Sequence, residues 1–483
     1  MHPMPAQGLR INAATGPLIP MPEDIRRRIL IHPLIWRPSV VMSWPIRGIR
    51  TMFTHLPFRI SAFGGITLSL VILASPSAAA AAAGWSPAVV ISASQPSPTP
   101  NAFAVNSAGN ELWVAAPPVV GGYLVQAAQR SVGGAWSSQT TFFSVTNSFI
   151  TTVHNLSVAI GANGSATAAW LAGSSILIAF RSSSGTWQAP VTIATSGSGA
   201  AALVAKSDAQ GNGVAAWSEM TAAGSVVQAV TWTASGTLGS VSQLSGLGQP
   251  QFQPDLAVNE TGTTVVVWPQ ATTFGGSSYQ VESATRPAGG NWSAATAVSP
   301  VLPQAFSPRV ALDGSGNATA LWEQGTTVDS ATRPAGGVWG SPTVVETSNL
   351  AGSDAIASDA SGNVTAVWAM HDSTTGVSSV HAATRPIGSP WGAPASLGPC
   401  GSTCVPYLAA ARDGSIATAV WSNGPTVNAS VRPGLGTWVS TAIATGTSQL
   451  TNLVAGNNAF ASAAWTVGIG VKYHVALKQS DYR

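Results

Sequence analysis

Short apolar runs alternate with polar residues along most of this chain, and turn residues punctuate them at a steady rhythm. Residues 310–346, VALDGSGNATALWEQGTTVDSATRPAGGVWGSPTVVE, carry the unit. The alternation through Leu312 predicts a strand that ends at the DGSGN run, 313–317, whose residues reach positive φ or hydrogen-bond locally at little cost. Residues 318–322 predict a second strand with Ala320 and Trp322 on one face, by the period of two. A third strand is expected over 327–333. The PAGG run at 334–337 then turns the chain, and Trp339 opens a fourth. Four strands in roughly fifty residues, repeated at a fixed period, predict an all-β propeller of four-stranded antiparallel blades.

The copies can be counted from two tryptophan slots and an arginine slot. The second-strand tryptophan stands at 113, 170, 217, 268, 322, 368, 421 and 465. The third strand ends on Arg130, Arg181, Arg286, Arg333, Arg385 and Arg432, with Trp232 and Lys478 in the two remaining copies. Six residues beyond each arginine slot comes the fourth-strand tryptophan: Trp136, Trp187, Trp292, Trp339, Trp391 and Trp438, with Leu238 as an exception. The eighth copy runs out before its fourth strand. The missing piece is at the other end, where GWSPAVVI at 84–91 matches VWGSPTVV at 338–345. Eight blades follow, the last closed by the amino-terminal strand; a seven-bladed ring is the alternative.

Charged residues are only 8% of the 483, against the usual ~25%. The formal charge of +3 comes from the first 82 residues, which hold eight arginines and two acids; the rest keeps 12 basic and 15 acidic groups. The basic balance thus belongs to the leader and is no argument for nucleic-acid binding, and no nucleic-acid partner is expected. Residues 60–74, ISAFGGITLSLVILA, form an apolar run preceded by Arg59 and followed by small residues, the pattern of a secretory signal. Residues 1–83 are therefore expected to be a leader, cleaved within 78–83, with Met52 as a possible internal start, and 84–483 the propeller. An uncleaved anchor is the alternative. Export places the protein in the periplasm, at the cell surface or outside the cell. There the spacing of Cys400 and Cys404 predicts a small loop disulfide.

Two connections of the unit are uniform and two vary. The first turn (NSAG at 106–109, DAQG at 208–211, DGSG at 313–316, DASG at 359–362) and the third turn share one end of the blade. The second turn and the blade-to-blade link share the other. Function concentrates in variable loops, so the variable face is the expected binding face. The links into copies four and five bring Phe252, Asp255, Phe306 and Arg309 to the start of innermost strands, and Tyr407 approximates a third such link. Four residues before the arginine slot the side chain varies among the copies and is polar in seven of the eight, and Glu282 and Asp329 stand there in copies four and five. These seven residues form the expected ligand site, unless Phe252 and Phe306 simply pack and Asp255 pairs with Arg309.

The RPAGG-x-W turn resembles a degenerate Asp-box, the turn between third and fourth strands in sialidase-like propellers. The run RSSSGTW at 181–187 comes closest, and the aspartate of the box is absent throughout. The resemblance implies a fold, since the box is a structural turn. A sialidase-like site would need an arginine triad that the arginines outside the repeat cannot assemble. A glycosidase would need two facing carboxylates, and nothing in the sequence pairs any two among Glu219, Asp255, Glu282, Glu323, Asp329 and Asp372. No phosphate loop, nucleophile elbow or metal-spaced histidine pair occurs; His371 and His381 merely flank one loop. The reading is a monomeric, non-catalytic secreted scaffold without cofactor or metal, binding a glycan or a protein. A glycoside hydrolase or sialidase-like enzyme and a structural cell-surface protein are the alternatives.

Overall fold

The computed structural model describes residues 85–91 and 101–481, except for short segments at 147–149, 151–152, 196–199, 222–223, 247–252, 273–277, 304, 348–350, 373–374, 402–403, 446–448, 458–459 and 470–471. The leader and Phe252 lie outside the described residues. Eight separate antiparallel sheets follow one another, and the described residues contain no helix. Blade five shows the plan: Ala305–Leu312 innermost, then Ala318–Gln324, Thr327–Arg333 and, outermost, Thr343–Thr347. In blade eight the order is Gln449–Gly456, Phe460–Ile469, Lys472–Asp481 and then Val89–Val90. Val89 faces Leu477 and Val90 faces Ala476 across that last ladder, so the amino-terminal strand closes the ring.

The core is distributed between blades. Eight apolar clusters each span one junction. Each takes one second-strand tryptophan and one outer slot residue from the same blade, as Trp322 and Trp339 do between blades four and five. All eight second-strand tryptophans are 1% exposed or less, and burying an indole of ~150–250 Å² contributes roughly 4–6 kcal/mol. Trp85 fills the outer slot at the junction of blades seven and eight, and Ile91 packs at that of eight and one.

The repeat is less regular than the tryptophan count implies. In six blades the tryptophan faces the residue four before the arginine slot, as Trp322 faces Asp329. In blades one and eight it sits two residues earlier, opposite Ala128 and Ala476. The two blades at the seam thus share a shifted indole.

The uniform turns interlock, which explains their uniformity. Asp313 accepts the Ser315 and Asn317 amides and the Asn317 side chain, and Asn317 Oδ1 accepts the Ala335 amide of the third turn. Asp359, Asn363 and Ile387 repeat the arrangement. Glycine is required at the end of the turn for two reasons. Gly362 has φ +94°, and a Cβ there would lie 2.9 Å from the Asp313 carboxylate of the preceding blade. On the variable side, Cys400 and Cys404 are disulfide-bonded with their Cα atoms 5.6 Å apart.

Candidate functional site

The eight innermost strands line a central cavity of about 390 Å³. Its walls are mostly Val, Ala, Ile and Leu, and its charged members are Lys206 and Arg412. Arg412, at the first turn of blade seven, crosses the turn-face mouth. It stands 3.5 Å from Glu260 and donates to the Val258 carbonyl at 3.4 Å, both in blade four. The side chain therefore obstructs one end of the channel.

At the variable end a β-bulge recurs in the innermost strands of blades two, three, five, six and eight. In three of them a non-glycine residue takes positive φ: Asn155 at 48°, Ala202 at 58° and Ser307 at 48°. A bulge bends its strand and re-aims the next side chain. Asp255, Arg309 and Tyr407 occupy one register level, each opposite the residue that precedes its blade's tryptophan.

Two of these predicted residues stitch blades together. Asp255 Oδ2 accepts the Val310 amide of blade five at 2.9 Å, and Lys206 Nζ runs up the channel wall to within 3.9 Å of Oδ1. Arg309 reaches into blade six, where Nε donates to the Asp354 carbonyl at 3.1 Å and stands 3.5 Å from its carboxylate. The Asp255–Arg309 pair considered from sequence is replaced by Arg309–Asp354. Phe306 packs on Tyr279 with ring centroids 5.2 Å apart. Tyr407 packs against the cluster between blades seven and eight, where burial raises its phenol pKa.

Asp354 is the most perturbed acid of the region. Its side chain is fully buried, and burial pushes its carboxyl well above the ordinary aspartate range, against the opposing pull of Arg309. Glu323 and Asp255 push the same way. Glu282 and Asp329 lie away from the channel on third strands and are also raised by burial, offset by hydrogen bonds from Trp268 and Thr327. His381 does the equivalent in blade six, with Nδ1 3.1 Å from Glu346, itself bonded to Trp368 Nε1 at 2.7 Å. The varied third-strand positions thus serve local polar partners beside the tryptophans. His371 pairs with Ser378, apart from His381, and the described residues hold no group of three metal-ligating side chains.

No family model matches the sequence, and no curated protein matches it. Solved structures of propeller type do. A polysaccharide lyase is 9% identical over 66% of this chain and 88% of its own, with TM-score 0.44. An ulvan lyase is 10% identical over 65% and 90%, with TM-score 0.45. The six-bladed, fucose-recognising lectin of Aleuria aurantia is 13% identical over 64% and 97%, with TM-score 0.32. At such identity the likeness concerns the fold alone.

Proposed function

We propose that the protein is an exported, non-catalytic binding propeller that admits a peptide segment to its central cavity from the variable face. The leader pattern supports export, and a native mature chain should begin between residues 78 and 84. The observation that carries the binding reading is the cavity itself. It is lined by all eight blades, it is within the ~300–1,000 Å³ of small-ligand sites, and Arg412 obstructs its other end. Aliphatic walls suit apolar side chains of a peptide better than a sugar ring, which favours aromatic platforms. Lys206 and Asp255 supply one charge of each sign beside the apolar wall. Two other variable-side carboxylates are committed elsewhere: Glu219 accepts from Trp217 Nε1 at 3.3 Å, and Asp329 from Thr327.

Ala357 lines the cavity and is partly exposed. Ala357→Trp should fill the space without disturbing a junction. Peptide and glycan arrays probed with the full chain should give peptide ligands whose binding falls at least tenfold in that variant, with melting temperature unchanged. Ligands that ignore Ala357→Trp would place binding elsewhere, and a preference for neutral glycans would overturn the peptide assignment.

A further inference from the structure

The slot arginines do not find the same partner at every junction. Between blades five and six, Arg385 Nη2 donates to Thr319 Oγ1 at 2.9 Å. Between six and seven, Arg432 donates to Thr365 at 2.9 Å and also to Thr384. Thr319 and Thr365 both stand three residues before their blade's tryptophan. In blades three and four that position is Val214 and Val265, both buried and without an acceptor. Arg181 and Arg130 find Gln129 and Glu111, and Arg333 lies over Trp339. Arg286 of blade four is only partly buried, and among the described residues it has no hydrogen bond, ion pair or indole beneath it.

Blade three also departs from the repeat in its own slots. Trp232 replaces the arginine and turns toward blade two, where it meets Phe180 edge-on at 6.2 Å. Leu238 replaces the outer tryptophan. A cleft of about 360 Å³ opens here on the turn face, with Arg286 in its wall and the hydroxyls of Thr231, Thr233 and Thr237 around it. Thr231 has no side-chain partner among the described residues, whereas the hydroxyls of Thr233 and Thr237 are exposed on the rim and share the Ser235 hydroxyl at 2.8 and 3.2 Å. Asp208 also borders the cleft, but it is 4% exposed and both its oxygens accept bonds from Asn212 at 2.9 Å. The uncommitted charge is therefore cationic.

We propose that this cleft binds a saccharide residue bearing a carboxylate, a uronate, with the acid on Arg286 and ring hydroxyls on the threonines. The guanidinium fork matches a carboxylate bidentately. Threonine hydroxyls donate and accept, as sugar hydroxyls require. The site is separate from the central cavity and opens on the other face, so glycan attachment would leave the variable face free.

Calorimetric titration of the full chain with galacturonate and glucuronate trisaccharides tests the proposal, with neutral galactose and glucose trisaccharides and a capped acidic peptide as controls. A uronate should bind at least tenfold tighter than its neutral parent. Arg286→Gln should lose at least tenfold with the melting temperature kept, because the side chain has no partner to forfeit. Val214→Thr should weaken binding several-fold by giving Arg286 the acceptor that Arg385 has in Thr319. Ala357→Trp, which fills the central cavity, should leave uronate affinity within twofold of the parent chain. The proposal is overturned if no uronate binds, if neutral sugars or the acidic peptide bind as well, or if Arg286→Gln binds like the wild type.

Discussion

Deleting residues 84–94 is expected to leave a chain that aggregates and melts far below the parent protein. Trp85 is 2% exposed in the cluster between blades seven and eight, beside Val420, Val431 and Trp465. Losing a buried indole costs about 3–5 kcal/mol by itself. The deletion also strips the outer strand from the Lys472–Asp481 strand, exposing an unpaired edge. Ile91 goes with it, and with Ile91 part of the packing between blades eight and one. Circular dichroism melts and light scattering of the deleted and parent chains are the check. Similar melting curves and no aggregation would mean that the ring does not depend on its amino-terminal strand.

The second large effect is expected at Arg309, in the stitching of the variable mouth. Arg309→Ala leaves the buried Asp354 carboxylate without its counter-ion. Breaking such a pair costs about 3–5 kcal/mol when the remaining charge has no other partner. Asp354 can recover part of that loss by taking up a proton. Its carboxyl already titrates above the ordinary value of 3.8 in the fold, through burial. A raised acid favours the fold most below its unfolded pKa, and that contribution is lost as pH rises through the folded value. The destabilisation of Arg309→Ala should therefore be larger at pH 8 than at pH 5. Asp354→Asn in the same chain should restore most of the loss and flatten the pH dependence. Denaturant melts of the four proteins of this cycle at both pH values would show it. Equal losses at both pH values, with no rescue by Asp354→Asn, would show that Arg309 acts through something other than Asp354.

Much of the ring was legible because each blade repeats one local alphabet. The DGSGN and RPAGG turns, the alternation and the paired tryptophan slots are all set by neighbours a few residues away, and Trp85 betrayed the seam by matching Trp339. The tryptophans at 113 and 465 were counted correctly, yet they sit two residues off the common register, and spacing alone could not show which ladder position they take.

The mouth was harder to see, because its contacts join blades about fifty residues apart. Arg309 bonds to Asp354, 45 residues on, and Asp255 to Val310, 55 on. The bulge that sets Arg309 leaves no clear sign in sequence, since Ser307 is an ordinary residue in a positive-φ position. Arg412 crossing to Glu260 spans the channel and no repeat predicts it. By contrast, the cleft beside Arg286 did leave a sign. Trp232 and Leu238 were already the exceptions of copy three, and Val214 stands where copies five and six have threonine. A broken slot mattered there because the arginine of the next blade depended on it.

The most direct test of the closed ring is a cross-link across its seam. Val90 faces Ala476 in the ladder that joins the two ends of the domain. With Val90→Cys and Ala476→Cys in one chain, oxidation followed by non-reducing peptide mapping should join the 90 and 476 peptides within a monomer, alongside the native Cys400–Cys404 pair. If the two cysteines stay free, or link only between separate chains, the amino-terminal strand does not complete blade eight.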